Sequence, residues 1–337
     1  MKKLFLILSL LVVFTMAACD SHPASAASKY ADYPAKNIEL ICPSAAGTGF
    51  DALARKVAEV LPKFLPKSVT VFVSNLNNGG GAEGWTKGYL AAPDGYTLLL
   101  YGVPDSLISQ VLYERQYDVM KFTPLAGLTY EPSVFLAKAD SAAKNFADVK
   151  KQAEQNPAVF GTSGAGGSTH LESLVTSTVL NIPARMVHFS SVPEVMTSFE
   201  RKETEFISLT LPTSLSWIRS GSAKPIVVMA KERVKELPDI PTVYETEGIT
   251  KEQADLLSNT LQYRRAIWAP PGMDDELSGI LIKALEQAVN SPEFQEWSAS
   301  VSRPITFIPG IQFNEVIMTL FNNHSDFIEL YRKNIFN

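Results

Sequence analysis

Two stretches rich in glycine, serine and threonine carry the residue types with which an uncharged site holds an anion. Ser44-Ala45-Ala46-Gly47-Thr48-Gly49-Phe50-Asp51 follows the apolar run 38–42, and Gly161-Thr162-Ser163-Gly164-Ala165-Gly166-Gly167-Ser168-Thr169-His170 follows Ala158-Val159-Phe160. Each opens into an amphipathic pattern: Phe50, Leu53, Ala54, Val57, Val60 and Leu61 in the first case, Leu171, Leu174, Val175 and Val179 in the second. A strand, loop and helix start aims unbonded backbone N–H groups and the positive end of a helix dipole at one point, which suits an anion. Two such starts predict an anion held between two domains. A third glycine-rich start, Asn77-Asn78-Gly79-Gly80-Gly81-Ala82-Glu83-Gly84, brings Asn78 into the candidate set.

The same residues admit other chemistries. Gly47-Thr48-Gly49-Phe50-Asp51-Ala52 formally fits the dinucleotide pattern Gly-x-Gly-x-x-Ala. That reading requires an acidic residue at the end of the second strand for a ribose, and Asn75 stands there. Gly161-Thr162-Ser163-Gly164-Ala165 approaches a hydrolase nucleophile elbow but lacks the final glycine, so a secreted serine hydrolase using Ser163, with His170 or His188 as base, is the enzymatic alternative. His22, His170, His188 and His324 have no metal-site spacing, and neither metal nor cofactor is expected. His170, near a helix start, either donates to the ligand or fixes the loop. Asp51 falls in the first turn of its helix, where a carboxylate complements the dipole but would repel an anionic ligand; it is expected to organise the loop.

The elements that position these loops alternate. Strands are predicted at 38–42, 69–73, 96–101, 134–137, 158–160, 184–189, 206–211, 225–230 and 266–269. Helices are predicted at 50–61, 145–155, 170–180, 193–201 and 274–289, with a further short one opened by Ser291-Pro292. Alternation of this kind predicts an α/β architecture with parallel, doubly wound sheets. The net charge of −5 disfavours nucleic acid, and any anion must be held by local groups against a slightly repulsive overall field.

Lys2 and Lys3 precede an apolar stretch, 4–18, shorter than the ~20 residues a membrane helix needs. Met16-Ala17-Ala18-Cys19 resembles a bacterial lipobox with Met in place of the usual Leu, which implies a signal peptide over 1–19 and lipidation of Cys19. Asp20 resembles the signal for retention at the inner membrane; the alternative is a secreted protein cut near Ala24-Ser25-Ala26. Cys42 then has no intrachain partner and is expected buried at a strand end. About 310 of the 337 residues remain after the leader, enough for two domains.

Motifs spread along the chain resemble one family. Tyr33-Pro34-Ala35-Lys36, Pro43 with Ala46-Gly47, Asp51-Ala52-Leu53-Ala54-Arg55, Gly80-Gly81, Gly84 and Ala92-Pro93-Asp94-Gly95-Tyr96-Thr97-Leu98-Leu99-Leu100 are similar to the Bug-type solute receptors of tripartite tricarboxylate transporters. The likeness continues through Gly161, Gly164, Gly166, His170 and Leu171, then Leu237-Pro238-Asp239-Ile240-Pro241-Thr242 with Glu245, Ala269-Pro270 with Gly272, and Ser291-Pro292-Glu293. The resemblance implies a two-domain periplasmic-binding-protein fold, type II-like, with an interdomain ligand cleft. It divides the chain into a tether 20–35, domain 1 of 36–132 plus 264–337, and domain 2 of 133–263.

It also implies a non-enzymatic, lipid-anchored receptor on the extracytoplasmic face of the cytoplasmic membrane. Such a receptor delivers a small organic anion, a carboxylate, to the large and small membrane subunits of a permease; a receptor repurposed for sensing, docking a signalling partner, is the other form. Ligand contacts are expected from Ser44, Ala45, Gly47, Thr48, Gly49, Phe50 and Asn78, from Ser163, Gly164, Gly166, Gly167, Ser168, Thr169 and His170, and from His188 and Phe189. A micromolar dissociation constant corresponds to about 8 kcal/mol, and hydrogen bonds to charged groups contribute roughly 1.5 to 3 kcal/mol each, so a few aimed donors suffice without a buried arginine. The chain departs from the family pattern at Thr48-Gly49-Phe50, at His188-Phe189-Ser190-Ser191 and at Ser198 and Arg201-Lys202. Phe50 and Phe189 either give the site an aromatic side or pack within their own domains.

Overall fold

The apolar runs and their turns form elements in strict sequence order. They are β1 (Ile38–Cys42), α1 (Gly49–Val60), β2 (Val71–Asn75), α2 (Ala82–Leu90), β3 (Thr97–Val103), α3 (Asp105–Tyr113), β4 (Thr123–Lys138), α4 (Phe146–Ala153), β5 (Ala158–Thr162) and α5 (Ser168–Val179). There follow β6 (Ala184–His188), α6 (Val192–Glu200), β7 (Phe206–Thr210), α7 (Leu211–Arg219), β8 (Ala223–Val228), α8 (Lys251–Thr260), β9 (Gln262–Ala269), α9 (Asp275–Val289), α10 (Pro292–Ser300) and β10 (Ile308–Pro309). The computed structural model describes residues 29–318 apart from Glu114, Gly166, Ser302 and Val316, so Cys19 and Gly166 lie outside the described residues. Among the described residues no helix is long and apolar enough to cross a membrane.

Helix ends follow local chemistry. Asn145 caps α4, Asp274 caps α9, and Ser291 caps α10 with Pro292 at its first position. Thr250 and Gln253 form a reciprocal capping box on α8. Cys42 closes β1, fully buried, and burial pushes its thiol up to about 12.

The strands form one mixed sheet in the order β2-β1-β3-β9-β4-β7-β5-β6, with β8 and β10 also on β4. The parallel pairing expected from the alternation occurs at the flanks, β2-β1-β3 and β7-β5-β6. The centre differs: β9 runs antiparallel to β3 and β4, and β4 antiparallel to β7 and β8. The 16-residue β4 went unread in sequence over its first half because Pro124, Gly127 and Pro132 interrupt its pattern. Its register against β9 shifts between Pro124 and Ala126 and between Gly127 and Thr129, the irregularities that let such residues remain in a strand. Pairing changes partner along β4: residues up to Pro132 face β9, and from Ser133 they face β7 and β8.

Apolar packing gathers on either side of that change. Trp268 stacks on Tyr101 at 3.8 Å between ring centroids, within a core that includes Trp85, Phe122 and Phe313. Phe135, Phe160 and Phe206 centre a second core, and Met196, Phe199 and Leu215 belong to a third. Burying aromatic pairs of this kind adds about 0.5–1.5 kcal/mol each beyond their area. The described residues from Asp32 onward form one compact unit.

Candidate functional site

The first loop is held by charge. Thr48 caps α1, its Oγ1 accepting from Asp51 N at 3.2 Å and sharing a 2.9 Å hydrogen bond with Ser44 Oγ. Asp51 is 3% exposed and accepts from Gly47 N, Arg55 Nε and Asn75 Nδ2, each at 2.9 Å. Burial raises its pKa, but the hydrogen bonds from Arg55, Gly47 and Asn75 outweigh this and hold the carboxyl below its ordinary range. Asp51 therefore organises the loop, and Asn75 at the end of β2 braces it further by donating to Ser44 O at 3.0 Å. The helical ladder of α1 begins at Ala52 N to Thr48 O, which leaves the N–H groups of Gly49 and Phe50 ahead of it.

The second loop is held by hydroxyls. Thr169 Oγ1 accepts from Ser163 N at 2.8 Å and shares a 3.0 Å hydrogen bond with Ser163 Oγ. The ladder of α5 begins at Leu171 N to Gly167 O, so the amides of Ser168 and Thr169 precede it.

Both loops line a single cavity of about 200 Å3. Its wall takes in the N-terminal ends of five helices: Thr48, Gly49 and Phe50 at α1, Asp105 at α3, Ser168 and Thr169 at α5, Val192 at α6, and Thr210 and Thr213 at α7. Helix N-termini on the wall favour negative charge, while the carboxyls of Asp105 and Glu172 on the same wall oppose it.

Two buried arginines also line this cavity. Arg303 donates from Nε to Glu131 Oε1 at 2.7 Å and from Nη1 to Gly49 O at 2.9 Å. A Cβ on Gly49 would lie 2.7 Å from Arg303 Nη2, so that position admits only glycine without displacement of the guanidinium. Arg265 also pairs with Glu131, and its guanidinium lies 5.2 Å from the Phe50 ring centroid and 4.7 Å from that of Tyr263. Two guanidiniums thus share one carboxylate. Tyr263 in turn donates to Asp105 Oδ2 at 2.9 Å, and burial pushes Asp105 up to about 6. Glu172, 3% exposed, is pushed up to about 8, by burial first and by the neighbouring Asp105 charge as well.

The model of the tripartite tricarboxylate transporter family receptor matches residues 53–326. The chain belongs to that family. The receptor is 26% identical over 318 residues to the protein BugT of Bordetella pertussis, covering 90% of each chain. Its fold matches MatC of Rhodopseudomonas palustris, described with bound malate, at a TM-score of 0.71 and 21% identity, over 90% of this chain and 100% of that one. It also matches an R. palustris protein described with adipate, at a TM-score of 0.69 and 18% identity, over 90% and 99% of the two chains. The family consists of periplasmic substrate-binding receptors, not enzymes.

Of the residues singled out in the receptor's sequence, Ser44, Thr48, Gly49, Phe50, Ser163, Ser168 and Thr169 line the cavity together. The other described candidates have these contacts. Gly47 spends its amide on Asp51, and Ala45 O accepts from Thr48 Oγ1 at 2.9 Å. Gly164 O accepts from Gly167 N at 3.4 Å. Asn78 donates to Glu83 at 2.7 Å and lines a separate cavity with Tyr113 and Arg115. Phe50 is both packed and cavity-lining, whereas Phe189 packs against the core of Met196 and Phe199.

His170 and His188 line another cavity, of about 410 Å3, with their rings 4.5 Å apart. His170 follows Thr169 by one residue, a rotation of about 100° around α5 that takes it off the face carrying Ser168 and Thr169. Burial first, then His188, lowers it to about 4, so it offers no positive charge at neutral pH. Ser163 pairs with Thr169, and His188 Nδ1 with Thr162 Oγ1 at 2.6 Å, an arrangement unlike a nucleophile and base. Sequence reasoning missed Asp105, Glu172, Tyr263, Arg265 and Arg303. The only available signal was charge in otherwise apolar strand and helix runs, such as Arg264-Arg265 before Ala266-Ile267-Trp268.

Proposed function

We propose that the receptor captures a small organic carboxylate in the cavity shared by the two loops and passes it to the large and small membrane subunits of a tripartite permease. The hydroxyls of Ser44, Thr48, Ser163, Ser168 and Thr169, the leading amides of α1 and α5, and the guanidiniums of Arg265 and Arg303 hold the anion. The observation that carries this reading is the convergence of five helix N-termini and two arginines sharing one carboxylate on a single cavity. Malate and adipate in the two structural relatives support a carboxylate as the ligand. Two lobes, 36–132 plus 264–337 and 133–263, close on it; the exchange of partners along β4 after Pro132 supports the first of these divisions. A lipid on Cys19 keeps the receptor at the outer face of the cytoplasmic membrane.

A thermal-shift screen of di- and tricarboxylates, aromatic acids, amino acids and sugars tests the ligand class. A ligand at one hundred times its dissociation constant stabilises the folded state by about 2.7 kcal/mol, and carboxylates are expected to do so. Stabilisation by uncharged solutes alone contradicts the reading. Incorporation of labelled palmitate, lost in Cys19→Ala, tests the anchor.

A further inference from the structure

We infer that the ligand carries an ammonium group in addition to its carboxylate, and that Glu172 together with Asp105 reads it. This rests on the carboxylate reading above and deepens it. Glu172 lies one turn along α5 from Ser168, on the face that lines the cavity. Its side chain is buried, 3% exposed, yet its Oε2 has no hydrogen-bond partner. Asp105 gives one oxygen to Tyr263 and leaves the other, Oδ1, buried and unpartnered on the same wall. Buried carboxyl oxygens without a donor are costly, about 1–3 kcal/mol each or more, and call for an explanation in a ligand or other partner.

Charge on the wall is unevenly matched. Arg265 and Arg303 share Glu131, and what remains of their positive charge faces Asp105 and the anionic end of a ligand. The charged neighbour acting on Glu172 is a second carboxylate, Asp105, with the Ser133 hydroxyl beside it; Arg265 acts on Asp105 and is already engaged by Glu131. A hydroxyl has one proton to give; an ammonium has three and a positive charge, enough to serve both open oxygens at once. A cation placed there also ionises Glu172, which burial otherwise keeps protonated near neutral pH. A zwitterionic acid satisfies both ends of the cavity, whereas a plain dicarboxylate leaves both open oxygens unmet.

Calorimetric titration of the full chain with matched pairs tests this: succinate and aspartate, adipate and 2-aminoadipate, butyrate and 4-aminobutyrate. In at least one pair the ammonium-bearing member is expected to bind tenfold tighter or more, with that preference reduced below threefold in Glu172→Gln and in Asp105→Asn. Equal or tighter binding of the unsubstituted member in every pair overturns the inference while leaving the carboxylate reading intact. A preference that persists undiminished in both variants removes these two residues from the recognition and overturns it equally. Absence of binding by every member overturns the inference, and the thermal-shift screen then decides the carboxylate reading separately. If a variant fails to fold, the comparison within each pair on the unaltered receptor still decides whether the ammonium is recognised.

Discussion

The two loops that face the cavity are built from similar residues and held in opposite ways. The Ser44 to Asp51 loop is fixed by ions: Asp51 collects Gly47, Arg55 and Asn75, and Arg303 ties Gly49 to Glu131 on β4. The Ser163 to Thr169 loop is fixed by two hydroxyls, with the carboxyl of Glu172 in the next turn of its helix. The contrast teaches that two loops on one cavity can be fixed without placing a cation in each. One jaw is locked by charges that mostly satisfy one another, and the other presents neutral donors whose alignment costs little charge burial.

Breaking the ionic jaw has the largest expected effect. Glu131→Ala leaves Arg265 and Arg303 buried and mutually repelling, and loss of one partner in a buried ion cluster costs about 3–5 kcal/mol; denaturant unfolding measures this, and a loss below 1 kcal/mol would show the cluster to be solvated. Next is Asp51→Ala, which strands the Gly47 amide and Asn75 and removes a charge-assisted bond to Arg55. It is expected to cost about 1.5–3 kcal/mol and to weaken ligand binding, because Thr48 loses its register.

The neutral jaw responds through pH. Glu172 is raised from 4.5 to about 8, so the folded state keeps a proton that the unfolded chain releases. Its contribution to stability is full below pH 4.5 and declines as pH rises through 8, and Glu172→Gln is expected to flatten that decline in thermal unfolding. An unchanged pH profile in the variant would mean that Glu172 is ionised throughout. The smallest effect belongs to Ser163→Ala, which removes one hydroxyl from the neutral jaw. Affinity is expected to fall about fivefold, roughly 1 kcal/mol, with stability nearly unchanged; loss of binding altogether would give this jaw the dominant role.

The same contrast explains what could be read from the sequence. The first loop's brace lies within one strand, helix, strand unit, so Asp51 was legible from its place in the first turn of a helix, whereas Asn75 was read only as standing where a ribose-binding acid would be. The loop's anchor was not legible, because Glu131 and Arg303 meet only after the chain has passed through the rest of the fold, 172 residues apart. Two of the five helix starts were also hidden. Thr210 and Leu211 read as the end of a strand because α7 begins directly where β7 stops, without a loop. Asp105 follows Gly102 and Pro104, which mark a turn without announcing a helix, and α3 buries Leu107 and Ile108. His170 and His188 were drawn in by their residue type, although helix phase turns His170 away from the cavity.

A structure of the receptor with a bound carboxylate tests the central claim most directly. The account predicts carboxylate oxygens within hydrogen-bonding distance of Thr48 or Ser44 from one loop and of Ser163, Ser168 or Thr169 from the other, with Arg303 or Arg265 nearby. Density for the ligand in the cavity of His170 and His188, or contacts from one loop alone, would contradict it.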